Sequence, residues 1–196
     1  MSTVIKFPTT MQGWTGTQTG SQTWTGPDNS KVSDGVYATS SCGGDITTST
    51  SVFLYHHNFV FGIGAGATIN GVTVEIKIKS DDATTCTISK VQLTSTTAAS
   101  IGTAKAANTV IPVTDTIITL GNSTDLWGAT ITQANTANAG FGFILQVTSS
   151  DTINPHTISV DYGKMTIDYN GGAVAIVDFA GAVFQWVTGY PSSLAF

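Results

Sequence analysis

The sequence predicts an all-β protein: an antiparallel, jelly-roll-like β-sandwich with an extended N-terminal arm and an apolar C-terminal β tail. Three observations predict it. Apolar and polar residues alternate over several short runs, clusters of Gly, Asn, Asp and Pro separate those runs, and only "TQANTANAG" suggests even one turn of helix. Runs that are apolar on one side only are buried when two sheets pack face to face. At 196 residues the chain is long enough for one sizeable β domain and an appended segment. The expected divisions are an arm and loop region over residues 1–30, the sandwich over 31–170 and an assembly tail over 171–196.

Residues 1–50 are dominated by Gly, Thr, Ser and Gln, and "WTGTQTGSQTWTGPDNS" sets Trp14 and Trp24 in polar surroundings, as anchors of an arm. "SVFLYHHNFVFGI" follows as a strand candidate. The clearest strand is "TINGVTVEIKIKS", where Val72, Val74, Ile76 and Ile78 share one face and Thr73, Glu75, Lys77 and Lys79 the other. Val74 and Ile76 are therefore core residues. A phase slip separates Ile88 from Val91 and Leu93, and "TIITL" is a further strand. "GFGFILQVTS" turns Phe141, Phe143, Leu145 and Val147 inward. In "HTISVDYGKMTIDYN" the inward set Ile158, Val160 and Tyr162 gives way after Gly163 to Met165, Ile167 and Tyr169, which predicts a β-bulge at that glycine.

From Gly171 onward the chain carries one charge, Asp178. Asp178, Gln185 and interior glycines argue against a membrane helix, and no basic residues flank the segment. The alternation of Val, Phe and Trp suits β pairing, with two short runs as strands. Phe179, Phe184, Trp186, Tyr190 and Phe196 would form an exposed apolar strip on a monomer, so burial against a neighbouring subunit is expected.

Charged residues make up 10% of the chain against roughly 25% in an average soluble domain. Threonine supplies about a sixth, the mean hydropathy is +0.18 and the net charge is −5. So little charge leaves a hydroxyl and amide surface that copies or partners can cover. Seven scattered lysines form no basic stripe, which excludes nucleic acid as a main partner. The N-terminus shows neither an apolar core nor a small-residue cleavage site, so no secretory signal is expected and the protein should stay in the cytoplasm until assembly or lysis.

Chemistry is sparse. Zinc-protease, nucleophile-elbow, phosphate-loop and calcium-loop motifs are absent from the sequence. His56 and His57, adjacent in a strand, point to opposite faces and divide between core and surface rather than ligating one metal. His156 follows Pro155 in a loop without an evident partner. Cys42 and Cys86 lack CxxC spacing and read as buried small hydrophobes, with a single bridge left open. Most aspartates stand in turn contexts such as "SDGV" and "SDDA", where they accept backbone N–H groups. Asp161 and Asp168 flank the expected bulge as exposed groups, and nothing pairs them as a glycosidase would require. No catalytic residue, metal or cofactor is expected. Trp14, Trp24 and Trp127 could stack on sugars if exposed. A tryptophan at a strand start beside Gly128, followed by Ile131, more often closes a sandwich core.

Taken in order, "DGVYA", "GATINGVTVEI", "STDLWGATIT" with "GFGF", and "VDYGKMTIDY" resemble a widespread group of tailed-phage virion and prophage proteins, over about residues 22–170. The resemblance implies a non-enzymatic particle protein with a β-sandwich body, located in the virion. Its partners would be copies of itself, with a trimer as one form, and phage capsid or tail proteins. A small β domain ending in an assembly strand suits a capsid decoration or cement protein. The alternative is a tail-associated host-receptor or carbohydrate-binding module. In this reading Trp127 is a core bolt, presented by Asp125 and Gly128, with Ile131, Phe141 and Phe143 as neighbours.

Overall fold

The computed structural model describes residues 1–13, 20–45, 49–95, 99–172, 176–177 and 183–184, with the backbone alone at 11–13, 176–177 and 183–184. The chain forms two antiparallel sheets packed as a β-sandwich. Its strands are β1 (Ser2–Lys6), β2 (Thr10–Gly13), β3 (Ala38–Gly43), β4 (Leu54–His57), β5 (Thr68–Ser80), β6 (Cys86–Ser95) and β7 (Ala99–Lys105). They continue as β8 (Thr109–Val110), β9 (Thr116–Asn122), β10 (Gly142–Ser149), β11 (Pro155–Asn170), β12 (Ile176–Val177) and β13 (Val183–Phe184). The first sheet runs β1-β11-β5-β9, with β3 also on β11; the second runs β2-β4-β10-β6-β7, with β8 also on β6.

The connectivity is that of a jelly roll. Strands β6 and β7, β5 and β9, β4 and β10, and β3 and β11 form four nested antiparallel pairs, like one long hairpin rolled up. The pairs β10–β6 and β11–β5 then join them into two sheets. The start of the expected N-terminal arm is held as edge strands: β1 pairs with residues 165–169 of β11, and β2 with β4.

The alternation of β5 is realised in full, for Val72, Val74, Ile76 and Ile78 are completely buried while Thr73, Glu75, Lys77 and Lys79 keep partial exposure. Each buried aliphatic side chain of this kind contributes about 1.5–3 kcal/mol. Phe143, Leu145 and Val147 of β10, with Phe141 just before it, belong to the same core. The slip after Ile88 is a bulge at Ser89, because Val147 pairs with Ile88 and Gln146 with Lys90.

The bulge expected at Gly163 lies two residues earlier. Register against β5 shifts between Val160 and Tyr162, so the extra residue is Asp161. Gly163 has a different duty: a Cβ there would sit 2.6 Å from Nε2 of His56 and 2.6 Å from Cζ of Phe143. The two sheets approach too closely for any side chain at that point. Gly163→Ala should therefore cost about 1–3 kcal/mol by overpacking, read as a lower urea midpoint at unchanged slope.

The expected helical turn is α1 (Gln133–Thr136). Thr132 caps it, accepting the Asn135 N–H at 3.3 Å, while the Asn135 side chain accepts the Thr132 N–H at 2.8 Å. Among the described residues no helix is long and apolar enough to cross a membrane.

Candidate functional site

The sandwich has two chemically different ends. At one end Trp127 stands in the turn after β9 with a left-handed φ of 58°, a conformation that costs a non-glycine residue about 1–3 kcal/mol. Its surroundings over-determine it. The Trp127 N–H donates to Oδ1 of Asp125 at 2.7 Å, and the indole Nε1 donates to the Val72 carbonyl of β5 at 2.9 Å. The Trp127 carbonyl accepts the Thr103 N–H of β7 at 2.6 Å. Lys105 lies 5.2 Å from the ring centroid and pairs with Asp125 at 2.8 Å. The ring is 1% exposed, in one core cluster with Ile131, Phe141, Phe143, Val74 and Ile76. Since β5 and β7 belong to different sheets, Trp127 fastens the sheets to each other.

Trp24 is also an anchor, buried with its Nε1 donating to the Val52 carbonyl at 2.9 Å. Neither Trp24 nor Trp127 offers a face to a sugar, and Trp14 lies outside the described residues. So do Phe179, Trp186, Tyr190 and Phe196; Phe184 belongs to β13.

Asp161 and Asp168, expected to be exposed, are buried. Asp161 accepts Lys77 Nζ at 2.8 Å and the Gly35 N–H at 2.9 Å. Burial pushes its carboxyl up, yet Lys77 and the amides of Gly35 and Asp34 hold it below the usual carboxylate range. Asp168 accepts the Thr3 hydroxyl at 2.6 Å, which ties β1 to β11. Both acids fasten segments to the outer side of a sheet. His56 and His57 divide as expected into a buried and a half-buried ring, and Cys42 and Cys86 are buried free thiols.

The other end of the sandwich gathers the ionisable chemistry. About 26 Å along β5 from Val72, at 3.3 Å per residue, the strand closes at Ser80. The turn that follows carries Asp81 and Asp82, and β11 returns beside it with His156. Far from lacking a partner, His156 has one on each ring nitrogen: Oδ1 of Asp81 lies 3.1 Å from Nδ1, and Oδ2 of Asp151 lies 3.0 Å from Nε2. Only an imidazolium donates in both directions. Oδ2 of Asp82 is 3.8 Å from Nε2, and the fully buried Cys86 opens β6 alongside.

The carboxylates are fixed by backbone. Asp81 accepts the Thr157 N–H at 2.8 Å, Asp82 accepts the Thr84 and Thr85 N–H groups at 2.6 and 3.1 Å, and Asp151 accepts those of Ile153 and Asn154 at 2.7 and 3.0 Å. The Ile153 and Asn154 amides, with His156, hold the Asp151 carboxyl well below its usual range. The Thr84 hydroxyl and the Thr84 and Thr85 amides do the same for Asp82. The bond to Asp151, then Asp81, raises His156 above the ordinary imidazole value. Burial raises both thiols, Cys42 to about 11. The arrangement clasps the β5–β6 turn to the β10–β11 turn through one proton-bearing ring.

A raised imidazole adds stability that is complete below its unfolded value of about 6.5 and disappears as pH rises through the folded value. In chelator-treated protein the melting midpoint should therefore decline on the alkaline side of pH 6.5, and His156→Gln should flatten that limb. Parallel slopes in the two proteins would remove the clasp's role.

No protein-family model matches this chain, and no curated protein does. A solved structure from work on endo-acting O-glycanases, which prominent members of the human gut microbiota express to initiate mucin breakdown, aligns with 73% of this chain and 83% of its own. The identity is 11% and the TM-score 0.33, a remote likeness that carries no functional conclusion.

Proposed function

We propose that this is a non-enzymatic structural protein of a phage particle, which self-associates and binds other particle proteins as a capsid decoration or cement protein. The observation that carries the reading is the pairing of β12 with β13. Among the described residues, 1–170 supply every strand of both sheets, whereas β12 and β13 pair with each other as a two-stranded sheet of their own. A pair of apolar strands that joins neither sheet of the sandwich is suited to a neighbour's surface. The low-charge hydroxyl surface and the resemblance of the ordered motifs to those of phage particle proteins support the same reading.

Size-exclusion chromatography with light scattering, followed by sedimentation with empty phage capsids, tests it. The full chain should form a defined oligomer that co-sediments with capsids. Deletion of residues 171–196 should leave the thermal transition of the sandwich in place and abolish co-sedimentation. A truncated protein that still decorates capsids would sink the role of the tail, and a capsid-inert oligomer would move the protein to the tail and its host-binding alternative.

A further inference from the structure

The ends of β5, β6 and β11 bring three different metal-ligand types together: a carboxylate oxygen of Asp81, Sγ of Cys86 and a ring nitrogen of His156 all lie within 4.8 Å of one another. We propose that these three residues form a binding site for a divalent transition-metal ion of the zinc class. Oxygen, nitrogen and sulfur donors on one ion suit zinc or cobalt; calcium and magnesium take oxygen alone.

Three further features favour a cation. Asp151 stands on Nε2 of His156 at 3.0 Å, the position from which a carboxylate orients a metal-bound histidine, so Nδ1 is the nitrogen presented beside Asp81. Charge is unbalanced. Asp81, Asp82 and Asp151 surround a single imidazole, and among the described residues the lysine ion pairs all go to other acids. Even an imidazolium leaves two negative charges uncompensated. The site is also braced, because backbone amides hold Asp81, Asp82 and Asp151 in place.

Binding would replace the proton on Nδ1 of His156 and release the thiol proton of Cys86 to solvent, leaving a thiolate–metal bond. Asp81 is half exposed, so water can complete the fourth position. The ion would link β5, β6 and β11, which come from both sheets, across the end opposite Trp127.

The test uses the full-length protein, stripped with chelator and kept reduced, titrated with zinc and, in parallel, with cobalt as a spectroscopic probe. One zinc per chain is expected, together with a thiolate-to-cobalt absorption band. Cys86→Ser should remove that band, His156→Gln should remove stoichiometric zinc, and Asp151→Asn, outside the donor set, should weaken zinc about 10-fold or more. Melting of each metal-free variant separates loss of ligand from loss of fold. Absence of zinc binding by the folded wild type, retention by both donor variants, or a preference for calcium would each overturn the site.

Discussion

Replacing Trp127 with alanine should lower the stability of the sandwich by about 3–5 kcal/mol, the range for deleting a fully buried aromatic ring. The loss has three parts. The ring, 1% exposed, leaves a cavity in the core. The bond from the indole to the Val72 carbonyl is lost, and the alanine inherits a left-handed φ of 58° without the contacts that offset its cost. Trp127→Phe separates these parts, since it keeps most of the burial but removes the indole N–H bond to the Val72 carbonyl; its cost should be clearly smaller. Urea unfolding followed by circular dichroism measures both. A Trp127→Ala protein with an unchanged midpoint would mean the ring is not a structural bolt.

Acid should weaken the protein through His56 well before its carboxylates protonate. The ring is completely buried between the sheets and stacked 4.5 Å from Phe143. Burial pushes its pKa down to about 3. The unfolded chain therefore takes up a proton near 6.5 that the folded chain refuses, so stability is complete above 6.5 and falls as pH drops from there towards 3. Each pH unit in that window withdraws up to about 1.4 kcal/mol, which makes about 2–3 kcal/mol at pH 4.5. Burial lowers His57 too, in the same direction. His56→Leu, apolar and similar in size, should remove most of the acid loss and leave neutral stability equal or higher, because it also removes a buried polar ring. Equal acid slopes for wild type and variant in urea titrations would assign the acid sensitivity to other groups.

The legible and illegible parts of this molecule divide on physical grounds. Strands β5, β10 and β11 could be read because one-sided burial writes a period of two into the sequence, and Trp127 could be placed because Asp125 and Gly128 mark a turn. The bulge was displaced by two residues because a phase change constrains its position only to the interval between Val160 and Met165. Gly163 drew attention for the wrong reason: no local pattern announces that His56 and Phe143 from the opposite sheet press against that position. Asp161 and Asp168 looked like solvent-facing acids because their partners, Lys77 and Thr3, lie far away in the chain. The His156 cluster was the least legible of all. Its members, Asp81, Cys86, Asp151 and His156, look like ordinary turn residues and a structural thiol, and they meet only because β11 returns beside the end of β5. The one available signal was the crowding of aspartates in "SDDA" and "SSDTINPH", the two turns that the roll brings together.

Strand β11 also sets the order in which the molecule can be made. It is the sixteen-residue neighbour of β1, β3 and β5, so on a growing chain the first sheet has only the β5–β9 pair until residues 155–170 have left the ribosome. The edges of β3 and β5 that pair with β11 must wait, unpaired, until those residues have been made. Such long-range closure makes folding slow. The scarcity of charge that suits an assembled surface then becomes a hazard during translation, and a shortened chain lacking β11 should go to aggregates rather than to a smaller folded domain.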